Sequence, residues 1–109
     1  MHRASADSDV FHAIADPTRR ALLDRLRGGG APVAELASLF PMTRPAISKH
    51  LGVLRRAGLV REQREGQRRV YHLSPARLRM VSEWADRYRV FWQLNLESLK
   101  RHLEGKGKP

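Results

Sequence analysis

The chain has 109 residues, 21 Lys and Arg against 11 Asp and Glu, and no cysteine. That length fits one compact domain, and the lack of cysteine excludes disulfides, thiolate metal sites and cysteine nucleophiles. No stretch approaches the apolar length of a membrane span, and residues 1–10 (MHRASADSDV) lack the apolar core of a signal peptide, so a cytoplasmic location is expected.

Residues 1–7 are small and polar and are expected to be flexible. A short helix is predicted from about Ser8, with Val10, Phe11 and Ile14 on one side. Asp16-Pro17 restarts the chain, because Asp caps orphan amides and Pro at the first helical position gives up an amide that has no partner. The helix that follows points Ala21, Leu22, Leu23 and Leu26 inward and Arg19, Arg20, Asp24 and Arg27 outward. It ends at Gly28-Gly29-Gly30. Residues 33–40 (VAELASLF) space Val33, Leu36, Ala37 and Phe40 for a third helix of two turns. Thr43 caps a fourth, expected from Arg44 to about Ala57, with Pro45 in its first turn and Ala46, Ile47, Leu51 and Leu54 inward. Gly58 stops it.

The apolar period then changes from 3.6 to 2. Residues 59–64 (LVREQR) and 68–73 (RRVYHL), joined by Glu65-Gly66-Gln67, predict an antiparallel hairpin with Val60 and Val70 toward the body. Ser74-Pro75 is a second cap-and-proline pair, opening a single long helix to about Leu103. Residues 105–109 (GKGKP) read as a flexible tail. The expected fold is therefore mainly α with a β wing, in the order α-α-α-α-β-β-α, occupying residues 8–104. Two short helices followed by a basic hairpin make a winged helix-turn-helix, whose second helix fits the DNA major groove.

Charge agrees with that placement. Residues 44–79 hold ten Lys and Arg against only Glu62 and Glu65, a net +8 in a chain whose total is +10. A positive field concentrated on one segment suits a polyanion, double-stranded DNA first.

These residues resemble the ArsR/SmtB-type bacterial transcriptional repressors. The matching stretches are residues 14–23 (IADPTRRALL), 33–40 (VAELASLF), 43–60 (TRPAISKHLGVLRRAGLV) and 65–73 (EGQRRVYHL). The SKHL-x-VLR-x-AGLV run is the most specific, joining the recognition helix, its glycine stop and the entry to the wing. The cluster Tyr88, Arg89, Phe91 and Trp92 is similar to a cysteine-free branch of often autoregulatory repressors without a known metal effector. The resemblance implies a homodimer built from the first and last helices. It also implies a roughly palindromic operator near a promoter, and repression by blocking polymerase.

Within the recognition helix, Thr43, Arg44, Pro45 and Ala46 occupy the N-terminal end, and Ser48, Lys49 and His50 extend the outer face. Arg44 is the first candidate for base reading, since a guanidinium bonds guanine O6 and N7 as a fork. Ser48 and His50 are candidates for a base edge or a phosphate, Ala46 and Pro45 for a thymine methyl. Thr43 serves at least as a cap. Lys49, Arg55 and Arg56 are expected beside phosphates, which fix register without reading sequence. In the wing, Arg64, Gln67, Arg68 and Arg69 surround Gly66, placed for a narrow minor groove. Alternation sends only one of Arg68 and Arg69 toward DNA and leaves open which. Tyr71 is read first as a packed strand residue and second as a phosphate contact.

Four aromatics, Trp84, Tyr88, Phe91 and Trp92, fall within nine residues of the last helix. With Leu99, and with Phe11 and Ile14 from the first helix, they form the expected dimer interface, because so small a body cannot cover them. The other occupant considered is a heterologous protein partner, which would make the chain an interaction module with non-specific nucleic-acid binding. Many relatives sense metal through cysteine pairs or through Asp/His/Glu sets on the last helix. Here Glu83, Asp86, Glu97, His102 and Glu104 include a single histidine, so no metal and no cofactor are expected, and the effector stays open. No catalytic set or phosphate-binding loop is present to suggest an enzyme.

Overall fold

A computed structural model describes residues 6–106. They divide into two units, one ending at Arg79 and the other beginning at Met80. The first runs α1 (Ala6–Ile14), α2 (Pro17–Leu26), β1 (Ala31–Pro32), α3 (Val33–Ser38), α4 (Arg44–Arg56), β2 (Val60–Glu65), β3 (Arg68–Leu73) and a 3-10 turn (Pro75–Leu78). The remaining helices are α5 (Arg79–Asp86) and α6 (Arg89–Lys106).

Two of the three expected caps, Asp16 and Thr43, form. Asp16 Oδ2 accepts the Arg19 amide at 3.0 Å at the start of α2, and Thr43 Oγ1 accepts the Ala46 amide at 3.2 Å at the start of α4. Each satisfies a donor that has no partner inside its helix. Helix α4 closes on Gly58, whose φ of +80° is a conformation other residues adopt only with strain. That reversal lets the Leu59 amide donate to Leu54 O at 2.9 Å and turns the chain into β2.

The core of the first unit is built of aliphatic side chains with Tyr71 beside them. Val10 and Ala13 of α1, Leu22 and Leu26 of α2, Leu36 of α3, and Ile47, Leu51 and Leu54 of α4 are buried together with Leu59, Val60 and Val70. Among the described residues no polar or charged side chain is buried.

Several expectations need correction. The hairpin belongs to a three-stranded antiparallel sheet of order β1-β3-β2, in which Ala31 pairs with Tyr71 and Pro32 with Val70. A two-residue strand carries too little alternation to be seen in sequence, and proline is tolerated because this is an edge. The β2–β3 pairing extends to Glu65 and Arg68, so the turn is only Gly66-Gln67. Gly66 has φ +66°, as the first position of a tight hairpin turn requires. Helix α3 stops at Ser38, two residues early. Ser74 makes no side-chain cap bond, and Pro75 opens a 3-10 turn instead of an α-helix.

The expected single long helix is interrupted. At Arg87 and Tyr88 the amides bond three residues back, to Trp84 O at 3.2 Å and Ala85 O at 2.9 Å, and α5 gives way to α6. No proline or glycine marks the break, so the apolar period runs through it unaltered. At the ends, α1 begins at Ala6 and α6 ends at Lys106, and the rest of the segments expected to be flexible, residues 1–5 and 107–109, lies outside the described residues.

Candidate nucleic-acid interface

Helix α4 divides its surface sharply. Ile47, Leu51 and Leu54 are buried, while Thr43, Arg44, Pro45, Ser48, Lys49, Arg55 and Arg56 are exposed, with Ala46 half-buried between the two sets. Pro45 and the Thr43 cap fix its first turn, where Arg44 and Pro45 are exposed. The hairpin stands beside it. Arg44 and Ser48 of α4 face Gln67, Arg68 and Arg69 of the wing across an open cleft of about 490 Å³. Pro32, Val33 and Ala34 complete its wall, and no acidic residue lines it. Both Arg68 and Arg69 line the cleft.

Not all of the expected residues point outward. His50 is half-buried, its Nδ1 lying 3.2 Å from Arg19 Nη1 and 3.9 Å from Asp16 Oδ2. Its proximal ring nitrogen is thus engaged with α2 instead of a base. Arg19, expected outward, turns in: its Nε donates to Ala13 O at 2.7 Å and its Nη2 to His12 O at 3.1 Å. One guanidinium so satisfies the open carbonyls at the end of α1 and meets the recognition helix. The Arg19 amide, helped by the His50 and Arg19 charges, holds the Asp16 carboxyl below the usual aspartate range, against a smaller opposing effect of burial.

Tyr71 follows its first reading. It is 8% exposed, and its hydroxyl donates to Glu62 Oε2 at 2.8 Å. Burial, and then the hydrogen bond to and charge of Glu62, push its phenol above the ordinary tyrosine range. The phenol therefore stays protonated, and its proton is directed at Glu62 and not at a phosphate.

Arg77 lies within the basic segment but serves the fold. Its Nη1 donates to Ala57 O at 2.9 Å, capping the end of α4. A Cβ at Gly58 would meet the Arg77 side chain at 2.8 Å, so the glycine is needed for space as well as for φ. Arg64 and Gln67 are exposed at the wing tip. The roles of Arg19, Glu62 and Arg77 escaped sequence reasoning because each depends on a contact between distant segments. Capping chemistry alone gave no hint of them.

In the second unit, Trp84, Tyr88, Phe91, Trp92 and Leu99 are between 45% and 60% exposed. Trp84 and Tyr88 pack with tilted rings, their centroids 5.5 Å apart, and Tyr88 and Phe91 do so at 6.4 Å. Along α6, Leu96 and Leu103 continue the exposed stripe. In the first unit, Phe11 and Ile14 are half-buried. Among the described residues no three His, Asp or Glu side chains are grouped to hold a metal ion. No helix of the described residues is long and apolar enough to cross a membrane.

A capped helix presenting basic and polar side chains, with a basic hairpin across a shared cleft, defines a winged helix-turn-helix DNA-binding domain. Residues 14–63 match a family model described as a helix-turn-helix domain. The chain is 41% identical over 98 residues to the HTH-type transcriptional regulator Rv2034 of Mycobacterium tuberculosis, covering 90% of this chain and 89% of that one. It is 39% identical over 77 residues to the transcriptional repressor SdpR of Bacillus subtilis, covering 71% and 86%. A crystal structure of an ArsR family transcriptional regulator superposes with a TM-score of 0.72 at 35% identity, over 82% of this chain and 98% of that one. The chain belongs to the ArsR/SmtB family of winged helix-turn-helix transcriptional regulators, and it is a DNA-binding regulator, not an enzyme.

Proposed function

We propose that this chain is a cytoplasmic, homodimeric repressor that binds an inverted-repeat operator, including one upstream of its own gene. The observation that carries the reading is the acid-free cleft in which Arg44 and Ser48 of α4 meet Gln67, Arg68 and Arg69 of the wing. In this reading α4 enters the major groove. Arg44 takes a guanine edge as a fork, Ser48 a neighbouring edge or phosphate, and Pro45 and Ala46 lie against thymine methyls. Thr43 keeps the helix end in place. Lys49, Arg55, Arg56 and Arg64 neutralise phosphates, and Gln67, Arg68 and Arg69 follow the backbone into the adjoining minor groove.

Dimerisation is supported by the exposed aromatic and aliphatic stripe of α5 and α6. A surface of that kind is stable in water only when covered. In a homodimer that reads DNA in this way, two copies of α4 enter successive major grooves about 34–36 Å apart, one helical turn of DNA, which calls for an inverted repeat. No cysteine is available to hold a metal, and the effector stays open.

The test is footprinting on the DNA upstream of the gene. Two protected blocks related by a dyad are expected, one turn apart on one face of the duplex. Binding indifferent to sequence at moderate salt would overturn the specific-repressor reading. Light scattering gives the complementary check: a dimer is expected, whereas a stable monomer would assign the stripe to a different protein partner.

A further inference from the structure

Residues 44–79 hold only two acids among ten basic side chains, and both sit on the wing. An acid on a surface that meets phosphates weakens binding through like-charge repulsion, so each calls for a physical reason. The two are held differently. Glu65 stands at the hairpin turn, about half exposed, with Oε2 3.1 Å from His72 Nε2. Glu62 is only 23% exposed. It pairs with Tyr71 across the β2–β3 ladder and accepts that residue's hydroxyl at 2.8 Å. The same carboxylate lies 3.8 Å from Arg55 Nη1 and 3.9 Å from Arg69 Nη1.

Those two arginines come from different elements. Arg55 is on the last turn of α4, and Arg69 is on β3, where it lines the cleft opposite Arg44. We propose that Glu62 is a positioning residue for DNA recognition: fixed by Tyr71, it aims Arg55 of the recognition helix and Arg69 of the wing as one set. The geometry suits a bias and not a lock. Both ion pairs are long, and both guanidinium groups are more than half exposed, so each is released to a phosphate at little cost. What Glu62 supplies is orientation before encounter, which lowers the entropy lost on ordering two long side chains. Its charge penalises every duplex alike, whereas the oriented pair meets its phosphates only in the register that the base contacts of α4 set, so it adds affinity only on a duplex that offers those contacts. The net result is selectivity.

This assignment rests on the sequence-specific reading above, and its test separates the two. A duplex is first enriched from a random pool by the unaltered protein, and a scrambled duplex of equal length and composition is the second probe. Both are titrated at fixed salt against the unaltered protein, Glu62→Gln, Glu65→Gln and Tyr71→Phe, with thermal midpoints measured alongside. Glu62→Gln is expected to bind the scrambled duplex more tightly, since a negative charge is lost. It is expected to bind the enriched duplex less tightly, so that the ratio of the two affinities falls about three- to tenfold. Glu65→Gln makes the same change of charge and is expected to tighten both, leaving the ratio unaltered. Tyr71→Phe keeps the charge but frees the carboxylate, so the ratio is expected to fall with no gain on the scrambled duplex.

If Glu62→Gln behaves like Glu65→Gln, Glu62 is only background charge and the assignment is wrong. Equal loss on both duplexes with a lowered thermal midpoint would make it a folding residue and also overturn the proposal. Failure of the underlying reading shows earlier, at the selection step: no duplex would be enriched, and the assignment would fall with it.

Discussion

The two units of this chain treat apolar side chains in opposite ways. Up to Arg79, Leu22, Leu36, Ile47, Leu51, Leu54 and Leu59 are fully buried, and caps and the Arg19 and Arg77 guanidinium groups satisfy helix ends. From Met80 onward, Trp84, Tyr88, Phe91, Trp92, Leu96, Leu99 and Leu103 are each close to half exposed or more. The first unit is thus a finished body with a polar face for DNA. The second leaves its apolar stripe exposed, and in the proposed reading a second copy covers it.

Substitution tests the contrast directly. Leu51→Ala should lower unfolding free energy by about 2–5 kcal/mol at any protein concentration, because it opens a cavity in a closed core. Leu99→Ala should cost less and mainly shift association: the thermal midpoint should become more concentration-dependent, and sedimentation should show dissociation at higher concentration. If Leu99→Ala leaves the midpoint and the association state unaltered, the stripe is not the dimer surface.

Arg44→Ala is expected to cost about 1–3 kcal/mol of discrimination at one base position, read by competition among single-base variants of the enriched duplex. A uniform loss over all variants would reassign Arg44 to the backbone. Gly58→Ala combines a left-handed φ with a close approach to Arg77, and chemical denaturation should show a loss of about 1–3 kcal/mol. Ala tolerated there would mean that Arg77 moves aside and that α4 is held by other means. Arg68→Ala or Arg69→Ala should reduce the slope of log affinity against log salt by about 1 for each phosphate left without its arginine.

The smallest effect concerns Asp16. Its carboxyl titrates below the ordinary aspartate value of 3.8 in the folded state, so the folded protein holds the anion more firmly than the unfolded chain does. That contribution is present above the unfolded value and disappears as pH falls through the lowered one. Asp16→Asn keeps a capping oxygen but loses the charge. Its thermal midpoint should therefore lie below that of the unaltered protein at neutral pH and converge on it in acid. A gap that persists in acid would assign the effect to the cap bond and not to the charge.

Most of the fold could be read from local chemistry. Asp16-Pro17, Thr43 with Pro45, Gly58 and Gly66 each act on the chain within four residues, and the elements between them follow. The departures arise where distance in sequence matters. The Ala31–Pro32 strand exists only because β3 lies next to it, and the break at Arg87–Tyr88 has no residue that announces it. The interface divides in the same way. The exposure of Arg44, Ser48, Lys49 and the wing arginines follows from helix phase and from the turn. His50 has the phase of an outward residue but is drawn inward by Arg19 and Asp16 from another helix. Glu62 looks like an ordinary surface acid until the ladder sets it against Tyr71 and between two arginines.

The exposed flank of α4 and the β2–β3 turn are held to meet duplex DNA together, and everything else depends on that. Backbone amide NMR shifts followed during titration with the enriched duplex test it most directly. Shifts concentrated at residues 43–50 and 64–69, with residues 89–106 little changed, are the expected result. Shifts confined to α6, or spread evenly over the first unit with α4 unaffected, would contradict it.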